Sequence, residues 1–318
     1  MKVRILYHDH CFDGAASAAF FSRFAQERFY PGAEFSYTGM AHKADQLFEE
    51  SDFDGDENTI VDFKYSHSDR VTWWFDHHQS AFLCPEDQRD YEAKKAGRRF
   101  YYNPTYRSCT EWIAHVARTV YGYEAPSLAD LVHWAGIVDG ASYRSAEEAV
   151  GMREPAMKLT LVIEAVKGSE LVQHIIRLMQ RQTLAGILTD PQVQQTFQPL
   201  YERHLRSIDI IRAAASCRDK VIFFDVADQD VEGYNKFIPY FLFPEGIYTV
   251  SVSKASFRTK VSVGSNPWAK EEPSHNLATI CERYGGGGHP RVGAISFQPN
   301  QVEEARKAAR EIVQELRG

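Results

Sequence analysis

The chain has 318 residues and a net charge of −7, from 36 Lys and Arg against 43 Asp and Glu; 44% of it is apolar and 25% charged. That balance belongs to a folded globular protein and excludes a largely disordered one. The acidic sign argues against a polybasic clamp for long nucleic acid. Residues 221–318 alone hold 11 basic and 12 acidic side chains, so neither half of the chain is basic.

At roughly 100 to 200 residues per domain, the length predicts two domains. Apolar runs fall far short of the roughly 20 residues a membrane span needs, and Met1-Lys2-Val3-Arg4 leads into a strand pattern rather than a secretory signal. A cytoplasmic protein with no membrane partner is expected. The five cysteines, Cys11, Cys84, Cys109, Cys217 and Cys281, are scattered without a Cys-x-x-Cys pair, which argues for reduced thiols and against a zinc knuckle.

In chain order, a strand over Val3–His8 leads to a helix beginning near Gly14, whose Ala15, Ala16, Ala18 and Ala19 allow close packing on a sheet. Short apolar runs at Thr59–Phe63 and Val71–Phe75 predict further strands in a mostly parallel α/β sheet. Lys94, Lys95, Arg98 and Arg99 form a basic run expected in a solvated surface loop. Ser108 and Glu111 make a capping box that starts a helix carrying Ile113, Val116, Ala117 and Val120. A second helix buries Leu128, Leu131, Val132, Ala135 and Val138 and stops at Gly140, leaving Asp139 at its end. The span from about 155 to 217 is expected to be helical with breaks at Pro191 and Pro199. After it come strands at Val221–Val226, Tyr248–Val252, Thr259–Val263 and Val292–Phe297, a helix-like segment over Ser274–Tyr284, and a closing helix to Leu316. The predicted fold is therefore α/β: an N-terminal, mostly parallel sheet flanked by helices over 1–190, a helical connector over 191–219, and a second, smaller α/β domain over 220–318.

The chemistry-bearing residues share one placement. His8 and Asp13 follow the first strand, Asp62 ends another, Asp76-His77-His78 ends a third, and Asp139 ends a helix. The carboxyl ends of strands are where open α/β sheets bind ligands. Mixed carboxylates and imidazoles suit a borderline-hard divalent ion such as Mn²⁺. Asp13 taken alone also fits a helix cap. Two consecutive histidines at a strand end are expected to point to opposite sides, one to a metal and one to substrate. Gly285-Gly286-Gly287-Gly288-His289 strips side chains from a predicted loop, so that backbone N–H groups can approach an anion, with His289 and Arg291 adding charge.

Together, Asp76-His77-His78, the upstream His8 and Asp13-Gly14, and the Gly285–His289 run resemble the DHH phosphoesterase superfamily, to which RecJ nucleases and nanoRNases belong. The resemblance spans nearly the whole chain and implies an N-terminal DHH domain with a DHH-associated C-terminal domain. It implies two Mn²⁺ ions, with Mg²⁺ or Co²⁺ as substitutes, on His8, Asp13, Asp62, His77 and Asp139, with Asp62 bridging. It also implies that Asp76 holds the imidazoles and that His78 contacts the substrate phosphate. His289, Gly286, Gly287, Gly288 and Arg291 would bind substrate from the second domain, with Arg107 and Ser108 assisting from the capped helix. Homodimers are common among similar proteins.

The sequence departs from the family pattern where two aspartates spaced by one residue are usual: His8-Asp9-His10-Cys11-Phe12-Asp13 has Cys11 at the first. Asp9, His10 or a Cys11 thiolate could supply the missing ligand, or one of the two metals could be weakly held. A second departure is Ser262-Val263-Gly264-Ser265-Asn266, where many relatives carry an arginine. The implied activity is two-metal hydrolysis of phosphodiester or phosphomonoester bonds in small nucleotides or short oligonucleotides. The alternatives are a nucleotide or cyclic-dinucleotide binding protein with a degraded metal site, and a single-strand exonuclease. An inorganic pyrophosphatase is disfavoured by the glycine-rich motif.

Overall fold

A computed structural model describes residues 1–41, 48–231 and 233–318. The chain divides into two compact units, Met1–Tyr143 with Arg153–Leu200, and Arg144–Met152 with Tyr201–Gly318. Among the described residues, no helix is long and apolar enough to cross a membrane.

In the first unit, β1 (Lys2–His8), β2 (Glu34–Met40), β3 (Glu57–Val61), β4 (Trp73–Asp76) and β5 (Arg99–Tyr102) form an all-parallel sheet in the order β2-β1-β3-β4-β5. The helices in chain order are α1 (Phe12–Arg28), α2 (Pro85–Lys94), α3 (Cys109–Tyr121), α4 (Ala129–Asp139), α5 (Ala146–Val150), α6 (Pro155–Ala165), α7 (Glu170–Met179), α8 (Leu184–Ile187) and α9 (Pro191–Ala214). Of these, α5 and the part of α9 from Tyr201 onward belong to the second unit.

Strands covered on both faces lose the usual apolar–polar alternation. All four residues of β4 are buried, and its side chains divide by parity. Trp73 and Phe75 meet Phe21 of α1, whereas Trp74 lies in the opposite cluster with Ile60, Phe63, Tyr65 and Phe100. Helix α1 is buried from Phe12 through Ser22 because its small residues let it lie close to the sheet. The tightest approach is at Gly14, where an added Cβ would stand 2.1 Å from the His8 carbonyl oxygen.

Two expectations change here. The run from Lys94 to Arg99 is not a free loop: it ends α2 and opens β5. Lys94 pairs with Asp90 and Asp69, and Arg99 lies over the Trp73 and Phe29 rings while donating to the Tyr30 hydroxyl. Pro199 does not break the helix either, since α9 runs through it. The Asp190 carboxylate caps the first turn by accepting from the Gln192 and Val193 amides, and buried Val193 and Ile211 anchor the helix on both sides of the proline.

The second unit adds β6 (Ser216–Arg218), β7 (Val221–Asp225), α10 (Ile238–Leu242), β8 (Tyr248–Ala255), β9 (Arg258–Ser265), α11 (Leu277–Glu282), β10 (Gly287–His289), β11 (Val292–Phe297) and α12 (Val302–Arg317). Its sheet runs β10-β11-β9-β8-β7-β6, antiparallel except between β7 and β8. Val250, Val252, Val261, Val263 and Ile295 pack with Leu277 and Cys281 of α11 and with Ala305, Ala309 and Ile312 of α12.

Because Gly14 meets a backbone atom that no rotamer change can move, Gly14→Ala should force α1 off the end of β1. A loss of about 1–3 kcal/mol is expected, the usual scale of overpacking, read as a lowered Tm in thermal unfolding.

Candidate metal centre

The strand order reverses between β1 and β3, and such a switch point opens a crevice at the carboxyl ends of the strands. His8 is the last residue of β1, Asp62 directly follows β3, and Asp76 closes β4 with His77 and His78 after it. Asp13 enters from the first turn of α1, and Asp139 from the last residue of α4. Asp62 has φ +56°, in the left-handed region that Asp tolerates better than most residues. Its amide meanwhile donates to the Phe75 carbonyl at 2.9 Å.

The centre is built around Asp62 and His77. His77 Nε2 lies 3.4 Å from Asp62 Oδ1, 3.4 Å from Asp139 Oδ2 and 3.8 Å from Asp13 Oδ2. Its Nδ1 is 3.1 Å from the Tyr106 carbonyl, which can only accept, so Nδ1 carries a proton and the neutral imidazole that binds a metal would present its lone pair at Nε2. On the other side, His8 Nδ1 is 3.5 Å from Asp62 Oδ2.

The histidine pair does not splay to opposite sides as the strand period predicts. Its ring centroids are 4.5 Å apart, because β4 ends at Asp76 and the backbone turns around that carboxylate. Asp76 Oδ1 accepts from the His77 amide at 2.8 Å, the His78 amide at 3.3 Å and His78 Nδ1 at 2.7 Å. Asp13 is a helix cap, but of α3 rather than α1. It accepts from the Cys109 amide at 2.7 Å and from the Thr110 amide and hydroxyl at 3.1 and 2.6 Å.

Asp13, Asp62 and Asp76 are fully buried, and both Asp62 oxygens, Asp76 Oδ2 and His77 Nε2 have no hydrogen-bond partner among the described residues. Buried carboxylates so close together repel unless a cation compensates them. Burial and the neighbouring Asp62 push the Asp139 carboxyl up to about 6. Burial and the charges of Asp62 and Asp139 push Asp13 well up. Burial alone would raise Asp62 too and lower His77. The imidazoles of His77 and His8 instead hold Asp62 below the carboxylate range, and the carboxylates push His77 up to about 10. Among the described residues, three groups present ligand atoms within 4.8 Å of one another: His8, Cys11 and Asp62; Asp62, His77 and His78; Asp13, His77 and Asp139. Orphaned oxygen and imidazole donors of this kind fit divalent cations of the Mn²⁺ type.

Other expected site residues lie differently. Ser108 is fully buried as the N-cap of α3, accepting from the Glu111 amide. Arg107 is exposed and pairs with Glu111, its Cβ 3.4 Å from a Cβ built on Gly140, beside the end of α4. In the second unit the glycine run is not an open loop. Gly285 takes φ +74°, and the amides of Gly285 and Gly286 donate to the Glu282 and Cys281 carbonyls at the end of α11. A Cβ on Gly286 or Gly288 would stand 2.2 Å from the carbonyl oxygen of Ala294 or Val292. Gly285 and Gly287 have open space around an added Cβ, so close strand packing accounts for Gly286 and Gly288 and the left-handed φ for Gly285. His289 and Arg291 are exposed, and Arg291 pairs with Glu272. The Tyr106 carbonyl, which orients His77, carries no sequence signal because it is a backbone atom.

With no cation bound, His77 serves as the countercharge. A raised imidazole pKa contributes stability that is complete below its unfolded value and lost as the pH rises through the folded one. The metal-free protein should therefore lose thermal stability between about pH 6.5 and about 10. Divalent metal, which needs a neutral imidazole, should abolish the loss. Melting with chelator and with Mn²⁺ across this range checks it; a flat chelator profile would uncouple the cluster from folding.

No protein-family model matches the chain, and no curated protein does. Among solved structures, the pGpG-specific phosphodiesterase PggH from Vibrio cholerae is similar over 99% of both chains, at 14% identity and a TM-score of 0.73. The DHH domain protein PF0399 is similar over 100% of this chain and 87% of its own, at 14% identity and a TM-score of 0.56. RecJ from Thermus thermophilus in complex with Mn²⁺ matches 99% of this chain, which spans 52% of RecJ, at 13% identity and a TM-score of 0.55. At such identities the likeness is one of fold, and the fold of this chain is that of the DHH-domain proteins.

Proposed function

We propose that the protein is a divalent-metal-dependent phosphoesterase that hydrolyses phosphate esters of small nucleotides or short oligonucleotides. The observation that carries this reading is the convergence of His8, Asp13, Asp62, His77 and Asp139 at the switch point, around buried oxygens with no hydrogen-bond donor. The likeness in fold to a pGpG phosphodiesterase and to RecJ, whose structures hold Mn²⁺ or Mg²⁺, supports it.

In this reading His8, Asp13, Asp62, His77 and Asp139 would hold two ions, with Asp62 available to both and Mn²⁺ the favoured occupant. Such a pair supplies Lewis-acid charge and lowers the pKa of a bound water. The chain's own groups do the rest. Asp76 fixes the orientation of both imidazoles through its three donors. His78 is the imidazole with most access to solvent, its side chain 32% exposed. Burial lowers its pKa, but its bond to Asp76 and the charges of Asp62 and Asp76 raise it on balance, which favours a proton for a phosphate oxygen. For the second unit, substrate binding is assigned to the exposed His289, with Arg291 and the glycine backbone as its support. Arg107 beside α4 is assigned a phosphate contact, while Ser108 acts by holding α3.

The test is hydrolysis by metal-stripped protein, with and without Mn²⁺, of a linear dinucleotide, RNA of two to five residues, a 3′,5′-bisphosphonucleoside and single-stranded DNA. Metal-dependent turnover, fastest on the shortest substrates, is expected. Asn tolerates the left-handed backbone of position 62. Asp62→Asn should therefore fold normally yet lose on the order of 10³-fold in turnover, the scale of a lost metal contribution of several kcal/mol. Tight nucleotide binding without turnover on any substrate would replace this reading with that of a binding protein.

A further inference from the structure

We propose that Cys11 is a metal ligand, its Sγ completing with His8 and Asp62 the first of the two cation sites in place of the carboxylate that the DHH pattern leads one to expect. The inference rests on the two-metal reading above.

Three residues could supply that ligand, and the structure separates them. Asp9 is occupied elsewhere: Oδ1 accepts from the Tyr7 hydroxyl at 3.2 Å and the His10 amide at 3.0 Å, and Oδ2 accepts from the Ser169 hydroxyl. It is also wedged against Gly39, where an added Cβ would stand 2.2 Å from Oδ2. His10 has a left-handed backbone, φ +54°, and its ring goes to the Ile163 carbonyl and to Asp9. Cys11 is the N-cap of α1, yet its side chain makes no capping bond. Its Sγ lies within 4.8 Å of the ligand atoms of both His8 and Asp62. Independently of the cysteine, Asp62 is fully buried and presents two oxygens with no hydrogen-bond donor to this cluster.

A thiolate carries the same single negative charge as the carboxylate it replaces, so the charge balance of the site is kept. On binding, the S–H bond breaks, the sulfur lone pair goes to the cation, and the proton leaves to solvent. What changes is softness. A sulfur–imidazole–carboxylate set favours Zn²⁺, Fe²⁺ or Co²⁺ over Mg²⁺, relative to an all-oxygen-and-nitrogen set.

The experiment is to strip the full-length protein, load it with Co²⁺, count the bound cobalt and record its absorption. A near-ultraviolet thiolate-to-cobalt charge-transfer band is expected in the wild type and should be absent from Cys11→Ser and Cys11→Asp. Cys11→Asp should retain the full cobalt count and improve the affinity for Mg²⁺ relative to Zn²⁺ by about tenfold or more, a change at least as large as an outer partner of a metal ligand commands. Cobalt bound in the wild type without the band would overturn the proposal while leaving the metal centre intact. A band that survives in Cys11→Ser would also overturn it, pointing to Cys109. No bound cobalt in the wild type would remove the two-metal reading itself, and the proposal with it.

Discussion

The first unit is organised around a concentration of buried negative charge at the carboxyl ends of its inner strands. Asp13, Asp62 and Asp76 are fully buried, with Asp139 beside them. Each must find donors or cations, because an unpaired buried carboxylate is among the costliest groups a fold can contain. The solutions differ. Asp76 is satisfied at Oδ1 by the turn it creates, and Asp13 by the first amides of α3. Asp62 has no such satisfaction from backbone or hydroxyl donors and faces only imidazoles. The first two carboxylates are thus part of the scaffold, and the third has its electrostatic need left for something from outside the chain.

Asp13 joins these two tasks. One carboxylate caps α3 from α1 and faces His77 Nε2 as well. With about four lone-pair sites, an ionised carboxylate can do both. Helix α3 also carries the Ser108 cap and follows Tyr106, whose carbonyl sets the His77 tautomer. The residues that orient the ligands and those that hold the helix are largely the same, so the start of α3 and the placing of the ligands are fixed together.

Much of this was legible in the sequence, because it depends on local chemistry. The small residues of α1, the Ser108 cap and the Asp139-Gly140 stop each leave a signature within a few positions. The placement of His8, Asp62 and Asp76 at strand ends follows from the apolar runs that precede them. What could not be read depends on contacts remote in sequence. Apart from the histidine pair, which the neighbouring Asp76 folds together where the strand ends, the case is Arg99, which lies over Trp73 and Phe29. The choice among Asp9, His10 and Cys11 likewise needed Ser169 and Ile163, each more than 150 positions away.

The glycine run of the second unit bears on how such motifs are interpreted at all. Gly286 and Gly288 are fixed by carbonyl oxygens 2.2 Å from where a side chain would begin, and Gly285 by its left-handed turn. A lineage that ceased to bind any substrate would still be held to these glycines by the requirement to close its sheet. The run can therefore outlive the activity with which it is associated, and a motif search that weights it heavily will gather active enzymes and retired ones alike. Asp62 is the better discriminator, since neither of its buried carboxylate oxygens accepts a hydrogen bond that would hold it in place without a cation.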